Sequence, residues 1–267
     1  MIPLEDNFAD VLGKALAGLG LTEHAAAAKA GLAPRDVQSL LSGEFCEEKA
    51  RALASALSLN AEALVRLGRG EYHPDVAPPG NLACVTTDFQ GMSVNAYVLW
   101  DPNNHDAAIF DTGADAAPVL DIVRAEELNV LGLFLTHSHA DHIHALAKLK
   151  TALGIDAWSS VFDPVRGTHT FRPGDLFTAG CHFIRTRHTS GHSPGGATFV
   201  IEGAEVGVAI VGDALFAGSI GGARNNYEEA LTNIRREIMT LPDDTILCPG
   251  HGPLTAVGLE KANNPFL

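Results

Sequence analysis

An apolar run that stops abruptly against histidines, VLGLFLTHSHADHIH over residues 130–144, constrains this chain more than any other segment. Val130–Leu135 has the composition of a buried strand, and Thr136 ends it. Four of the chain's 12 histidines follow at once, with an aspartate among them. Positions just past a strand end are where a rigid scaffold presents functional side chains. His137 and His139 are two apart, so in an extended segment they point the same way. Asp141 and His142 fall where the next helix begins. The stretch therefore offers two pairs of donor groups, His137/His139 and Asp141/His142.

A metal site needs more donors, and three later strand ends carry them. TSGHSPGG presents His192 among glycines and a proline that allow a tight turn. VGVAIVGDALF presents Asp213 directly after an apolar run, and TILCPGHGP presents His251 between glycines. A single histidine or aspartate after a strand is usually a solvated polar residue on the surface. The whole series, in order and each at a strand end, is not. Imidazole and carboxylate suit a borderline dication, zinc first, with iron or manganese as alternatives.

Around these positions short apolar runs alternate with helical stretches. LACVTTDF, NAYVLW, AAIFDTG, VLGLFLT, ATFVIEG and VGVAIVGD read as strands, and FVIEGAEVGVAIV as a hairpin turning at Gly203. DAAPVLDIVRAEEL, HIHALAKLKTALG and NNYEEALTNIRREIMTL read as helices. Residues 81–267 therefore predict an α/β domain. Residues 1–70 differ: they are rich in Ala and Leu at helical spacing, with Gly31 as a turn and Pro34 as a helix start. The prolines of residues 71–80 mark a linker between this small all-α domain and the rest.

Bulk properties exclude several classes. No run of ~18 apolar residues exists, so no membrane span is expected. The N-terminus carries early acids and no basic stretch, unlike a signal peptide. Cys46, Cys84, Cys181 and Cys248 lie far apart without a CxxC pair, which fits free thiols in the cytoplasm. The net charge of −14 opposes binding to nucleic acid or an anionic membrane.

THSHADH, GHSPG, GDALF and PGHGP, in that order, resemble the signature motifs of the metallo-β-lactamase fold hydrolases, and the resemblance covers residues 81–267. It implies a four-layer αββα sandwich with the site along one edge of the sheets. It also implies two divalent metals, His137, His139 and His192 holding one, Asp141, His142 and His251 the other, and Asp213 bridging them. Within that superfamily the chain looks most like the glyoxalase-II-like thioester hydrolases of short bacterial form. The expected substrate is then a small acyl thioester such as S-lactoylglutathione. The chain as given ends before the C-terminal helical domain of full-length glyoxalase II, so fewer glutathione contacts are expected. Where relatives read GSIGR, this chain reads GSIGGARNNY, which displaces the arginine to Arg224. His144 and Ala145 stand where relatives have two glycines.

Two cations would lower the pKa of a shared water from 15.7 toward ~7, so no Ser or Cys nucleophile is needed. Asp141 is the candidate catalytic carboxylate, with a free oxygen to orient that water. Asp111, in IFDTGAD, is either a carboxylate supporting a ligand or a helix cap. Cys248 reads as a buried strand residue, and His144, His169, His182 and His188 as ordinary. Competing classes are a persulfide dioxygenase with one iron on His137, His192 and Asp213, a lactonase, and a metabolite-sensing regulator. Asp213 argues against a β-lactamase.

The regulator reading comes from LTEHAAAAKAGLAPRDVQSLLSGE, which resembles the helix-turn-helix of phage-repressor-like domains, Pro34–Leu41 being the recognition helix. Residues 1–79, however, hold 7 basic against 11 acidic residues, and the recognition helix offers only Arg35 and Gln38. Duplex affinity rests on phosphate neutralisation. The helices are therefore read as a module for homodimerisation, substrate cover or protein contact.

Overall fold

The computed structural model describes residues 2–203 and 206–267. Five helices come first: α1 (Phe8–Gly18), α2 (Glu23–Ala30), α3 (Pro34–Leu41), α4 (Glu47–Ala56) and α5 (Ala61–Gly68). Asn7, Thr22 and Asn60 cap α1, α2 and α5 by accepting first-turn amides. Gly31 closes α2 in the left-handed conformation at φ 68°, which favours glycine. No regular element lies between Gly68 and Leu82.

Two six-stranded sheets follow. The first runs β1 (Leu82–Phe89), β2 (Met92–Trp100), β3 (Asp106–Phe110), β4 (Asn129–Phe134), β5 (Ala157–Ser160), β6 (His169–Phe171) in that spatial order. Its first three strands are antiparallel, and β3 to β6 pair in parallel. The parallel crossovers carry α6 (Ala117–Ala125), α7 (Ala140–Ile143) and α8 (Leu146–Leu153). The second sheet contains β7 (Leu176–Ala179), β8 (His182–His188), β9 (Ala197–Glu202) and β10 (Val208–Gly212). A ribbon of β11 (Leu215–Phe216) and β12 (Ser219–Ile220) follows, then α9 (Tyr227–Asn233), which continues as one π-helical turn, Ile234–Ile238. The chain returns to the sheet with β13 (Ile246–Pro249) and β14 (Thr255–Ala256) and closes with α10 (Val257–Asn263). The sheet order is β14-β13-β10-β9-β8-β7.

The layering follows from the two-residue period of the strands. Tyr97, Leu99, Ala108 and Phe110 face Ile184, Phe199, Ile201 and Ile210 across the space between the sheets. Their neighbours Ala96, Val98, Ala107 and Ile109 face the other way, onto Val119 and Val123 of α6 and Leu149 of α8. The outer face of the second sheet presents Val200, Ala209, Val211 and Leu247. It is covered by α9, α10 and the N-terminal helices together, in one cluster that includes Leu12, Leu40, Leu53, Leu64 and Ile234. This is the αββα sandwich, with the N-terminal helices added to one outer layer.

Three details depart from the sequence reading. The region 155–190 contains four strands, β5 to β8, that short polar segments did not announce. The stretch 142–154 is two helices broken at Ala145, and 225–241 is interrupted by the π turn. The β9–β10 hairpin is present and leaves β9 at Gly203, φ 92°; residues 204–205 of its turn lie outside the described residues. Among the described residues no helix is long and apolar enough to cross a membrane.

Candidate metal centre

All seven donor residues read from the sequence come together at one edge of the sandwich. His137 and His139 follow β4, and Asp141 and His142 ride on α7. His192 lies in the β8–β9 turn, Asp213 directly follows β10, and His251 follows β13. They form two groups, His137/His139/His192/Asp213 and Asp141/His142/His251, in each of which the donor atoms lie within 4.8 Å of one another.

The spacings suit cations. A tetrahedral ion with bonds of ~2.0–2.1 Å sets its ligand atoms roughly 3.3 Å apart. In the first group His139 Nδ1 is 3.0 Å from both His137 Nε2 and His192 Nε2. Asp213 Oδ2 is 3.3 Å from His192 Nε2 and 3.9 Å from His137 Nε2. In the second group His142 Nε2 is 3.4 Å from His251 Nε2, and Asp141 Oδ2 is 3.5 and 3.3 Å from those two nitrogens. Asp213 also reaches this group, its Oδ2 3.4 Å from His251 Nε2 and its Oδ1 3.3 Å from His142 Nε2. Asp213 Oδ1 is buried and has no hydrogen-bond partner. A buried carboxylate oxygen left without a donor is costly unless a cation or another donor meets it.

The far side of four rings is tied down, which turns Nε2 toward the cluster. His192 Nδ1 donates to the Gly222 carbonyl at 2.9 Å, and His251 Nδ1 to the Ser93 carbonyl at 2.6 Å. His142 Nδ1 donates to Asp111 Oδ2 at 2.9 Å. The Thr136 hydroxyl donates to Asp111 at 2.7 Å, which leaves its oxygen to accept from His137 Nδ1 at 3.0 Å. Asp111 is thus a carboxylate behind His142. It is no helix cap, since α6 begins six residues later.

The electrostatics divide the rings into two pairs. Burial holds the His137 and His192 imidazoles below their ordinary pKa, hence neutral, as a metal ligand must be. Burial opposes charge on His142 and His251 too, but the facing carboxylates outweigh it. Asp213 and Asp111 push His142 up to about 10, and Asp141 and Asp213 push His251 up to about 11. Burial would raise Asp141, yet His251 and His142 bring it down to about 2. Asp213 is also held well below the carboxylate range: burial pushes it up, and His142 and His137 together outweigh that. The buried acids of this edge call for positive charge.

Several supporting residues were not singled out from sequence. Asn95 donates to the Pro249 and Gly252 carbonyls at 3.1 and 2.9 Å, and the Tyr97 hydroxyl donates to Pro249 at 2.6 Å. They stitch β2 of one sheet to the His251 turn of the other. The signal was a polar Asn in an otherwise apolar strand. Gly250 is required by close approach: a Cβ there would stand 2.1 Å from Asp213 Oδ1 and 2.6 Å from His142 Cε1. His144 lies on the rim against Phe89, and Cys248 is buried in β13.

Residues 90–251 match the family model of the metallo-beta-lactamase superfamily, and the chain belongs to that superfamily. It is a metal-dependent hydrolase. It is 32% identical over 198 residues to the hydroxyacylglutathione hydrolase GloC of Haemophilus influenzae, an alignment spanning 65% of this chain and 92% of that one. Among solved structures it is similar to the BLEG-1 B3 metallo-beta-lactamase, at 31% identity and a TM-score of 0.62, over 70% of this chain and 99% of that one. It is also similar to TTHA1623 in a di-iron-bound form, at 28% identity and a TM-score of 0.59, over 69% of this chain and all of that one (100%). Helices α1–α5 lie outside the family match.

Proposed function

We propose that this chain hydrolyses a small acyl thioester of the hydroxyacylglutathione class with two bound divalent metals, zinc in the first instance. The observation that carries this reading is Asp213, whose two oxygens face both donor groups, together with the likeness to GloC. His137, His139 and His192 would hold one metal, Asp141, His142 and His251 the other, with Asp213 shared. When bound, the pair supplies a Lewis acid and a water of lowered pKa.

The chain's own residues do the rest. Asp111 and the carbonyls of Gly222 and Ser93 fix the ring orientations, so the donor atoms are set before substrate arrives. Asp141 orients the attacking water through the oxygen not engaged with the histidines. Gly250 and Gly212 keep bulk out of the contact between the His251 turn, the Asp213 turn and Thr136. The four free cysteines suit a cytoplasmic location.

Elemental analysis of protein purified without chelators should return close to two metals per chain. A reproducible value near one, iron only and with oxygen consumption, would replace this reading with the persulfide dioxygenase. Steady-state kinetics on glutathione, coenzyme A and simple thioesters, with lactones and a cephalosporin alongside, test the substrate class. Efficient lactone or cephalosporin turnover with inert thioesters would overturn it.

A further inference from the structure

The helices outside the family match reach the metal edge. From α1, Lys14 Nζ donates to the Ile220 carbonyl at 2.8 Å and stands 5.0 Å from the centre of the Phe216 ring. That ring packs edge-on against His251 at 5.6 Å. A Cβ on Gly252, the neighbour of His251, would lie 3.2 Å from the Glu5 amide. The N-terminal region is therefore docked on the turns that carry His251 and support His192.

Between α1, α2 and the loop after β12 lies an open surface groove of 490 Å³, lined by Leu16, Leu21, Thr22, Glu23, His24 and Arg224 among others. Arg224 is exposed and makes no ion pair or hydrogen bond among the described residues, whereas Arg51, Arg69 and Arg185 all engage carboxylates. Arg224 follows by two residues Gly222, whose carbonyl orients His192. Two residues span at most about 7 Å, so the Arg224 backbone lies within that reach of Gly222.

The groove's chemistry defines what fits. Leu16 and Leu21 offer an apolar wall to methylenes or a thioether. The planar fork of Arg224 matches a carboxylate, and Glu23 supplies the complement for an ammonium. We propose that this groove binds the amino-acid end of the thiol half of the substrate, so that α1, α2 and Arg224 complete the site. The proposal rests on the thioesterase reading for the identity of that half as a thiol, and on the groove alone for its charge.

Two measurements on the metal-loaded protein test it. S-Methylglutathione, a thioether that cannot be hydrolysed, is titrated calorimetrically into the wild type and Arg224→Ala, and the second variant Arg224→Lys is run beside them. At an exposed guanidinium a pair of this kind predicts about two- to five-fold weaker binding for Arg224→Ala, with partial recovery in Arg224→Lys. The same factor should appear in the ratio of kcat/KM for S-lactoylglutathione to that for a neutral N-acetylcysteamine thioester. No binding by the wild type, or equal binding by Arg224→Ala, overturns the groove. Arg224-dependent binding with every thioester inert keeps the groove and removes the thioesterase reading. Thioester turnover with a ratio indifferent to Arg224 does the reverse.

Discussion

The metal edge and the N-terminal helical face are built on opposite rules. Along the edge nearly every contact is polar and directional: seven donor groups, and behind them Asp111, Thr136 and two backbone carbonyls holding ring orientations. On the face, Phe8, Leu12, Leu40, Leu53 and Leu64 bury apolar surface against Val211, Leu247 and Ile234, with few polar anchors. Directional contacts fix where atoms stand. Apolar burial, at roughly 25 cal/mol per Å², fixes only that surfaces meet. The lesson is a division of labour, with chemistry concentrated at the edge and stability at the face.

Five expectations press on that division, from the largest effect to the smallest. Asp213→Ala should abolish hydrolysis, a loss on the order of 10³-fold or more, because Asp213 belongs to one donor group and reaches the other. Its circular dichroism should stay that of the wild type; a variant that unfolds would show that the edge carries stability after all. Leu12→Ala, at a fully buried position of α1, should lower unfolding free energy by about 2–5 kcal/mol in denaturant titration. An unchanged midpoint would mean that the helices ride on the sandwich without stabilising it.

Tyr72→Phe tests the strongest polar anchor of the face. Tyr72 donates to the buried Glu260 carboxylate of α10, which also accepts from Thr255, Asn264 and the Gly218 amide. Loss of the hydroxyl should cost about 1.5–3 kcal/mol, read by thermal melts, with metal content unchanged. Asp111→Asn should reduce metal affinity or turnover about 10–100-fold, since His142 loses its charged acceptor. Asn tolerates the left-handed backbone that Asp111 adopts at φ 56°, so this variant isolates the charge. Metal titration at wild-type level would remove Asp111 from the machinery. Last, duplex DNA at ~50 mM salt should bind weakly and salt-sensitively in an anisotropy assay. On α3 Val37 and Leu40 are buried, and Asp36 already engages Lys49 at 2.8 Å. Tight, sequence-specific binding would make the face a recognition surface.

The edge was the more legible region in the sequence, and the reason is physical. Each donor sits in a short local pattern, an apolar strand followed by a turn, and such patterns survive without tertiary information. His137, His139, Asp141, His142, His192, Asp213 and His251 all converge in the structure. The sequence leaves Asp111 between two roles, because its partner His142 is 31 residues away and a cap explains an aspartate after a strand nearly as well; the structure bears out the carboxylate supporting a ligand. Strands β6 and β7 are short edge segments, largely exposed, whose pairing decides their conformation, so the sequence does not announce them. The docking of α1–α5 was invisible for another reason. Their apolar stripes are plain in the sequence, but a stripe does not say which surface it will meet.

The approach of Pro3 and Glu5 to Gly252, next to His251, has a practical consequence for anyone handling the protein. A polyhistidine tag fused ahead of Pro3 would hang beside the cluster it resembles, free to compete for its cations and to distort both stoichiometry and kinetics. Residues 266–267 instead lie near Arg235, which donates to the Phe266 carbonyl at 3.1 Å. Metal counts taken with a tag at one end and then at the other measure that competition.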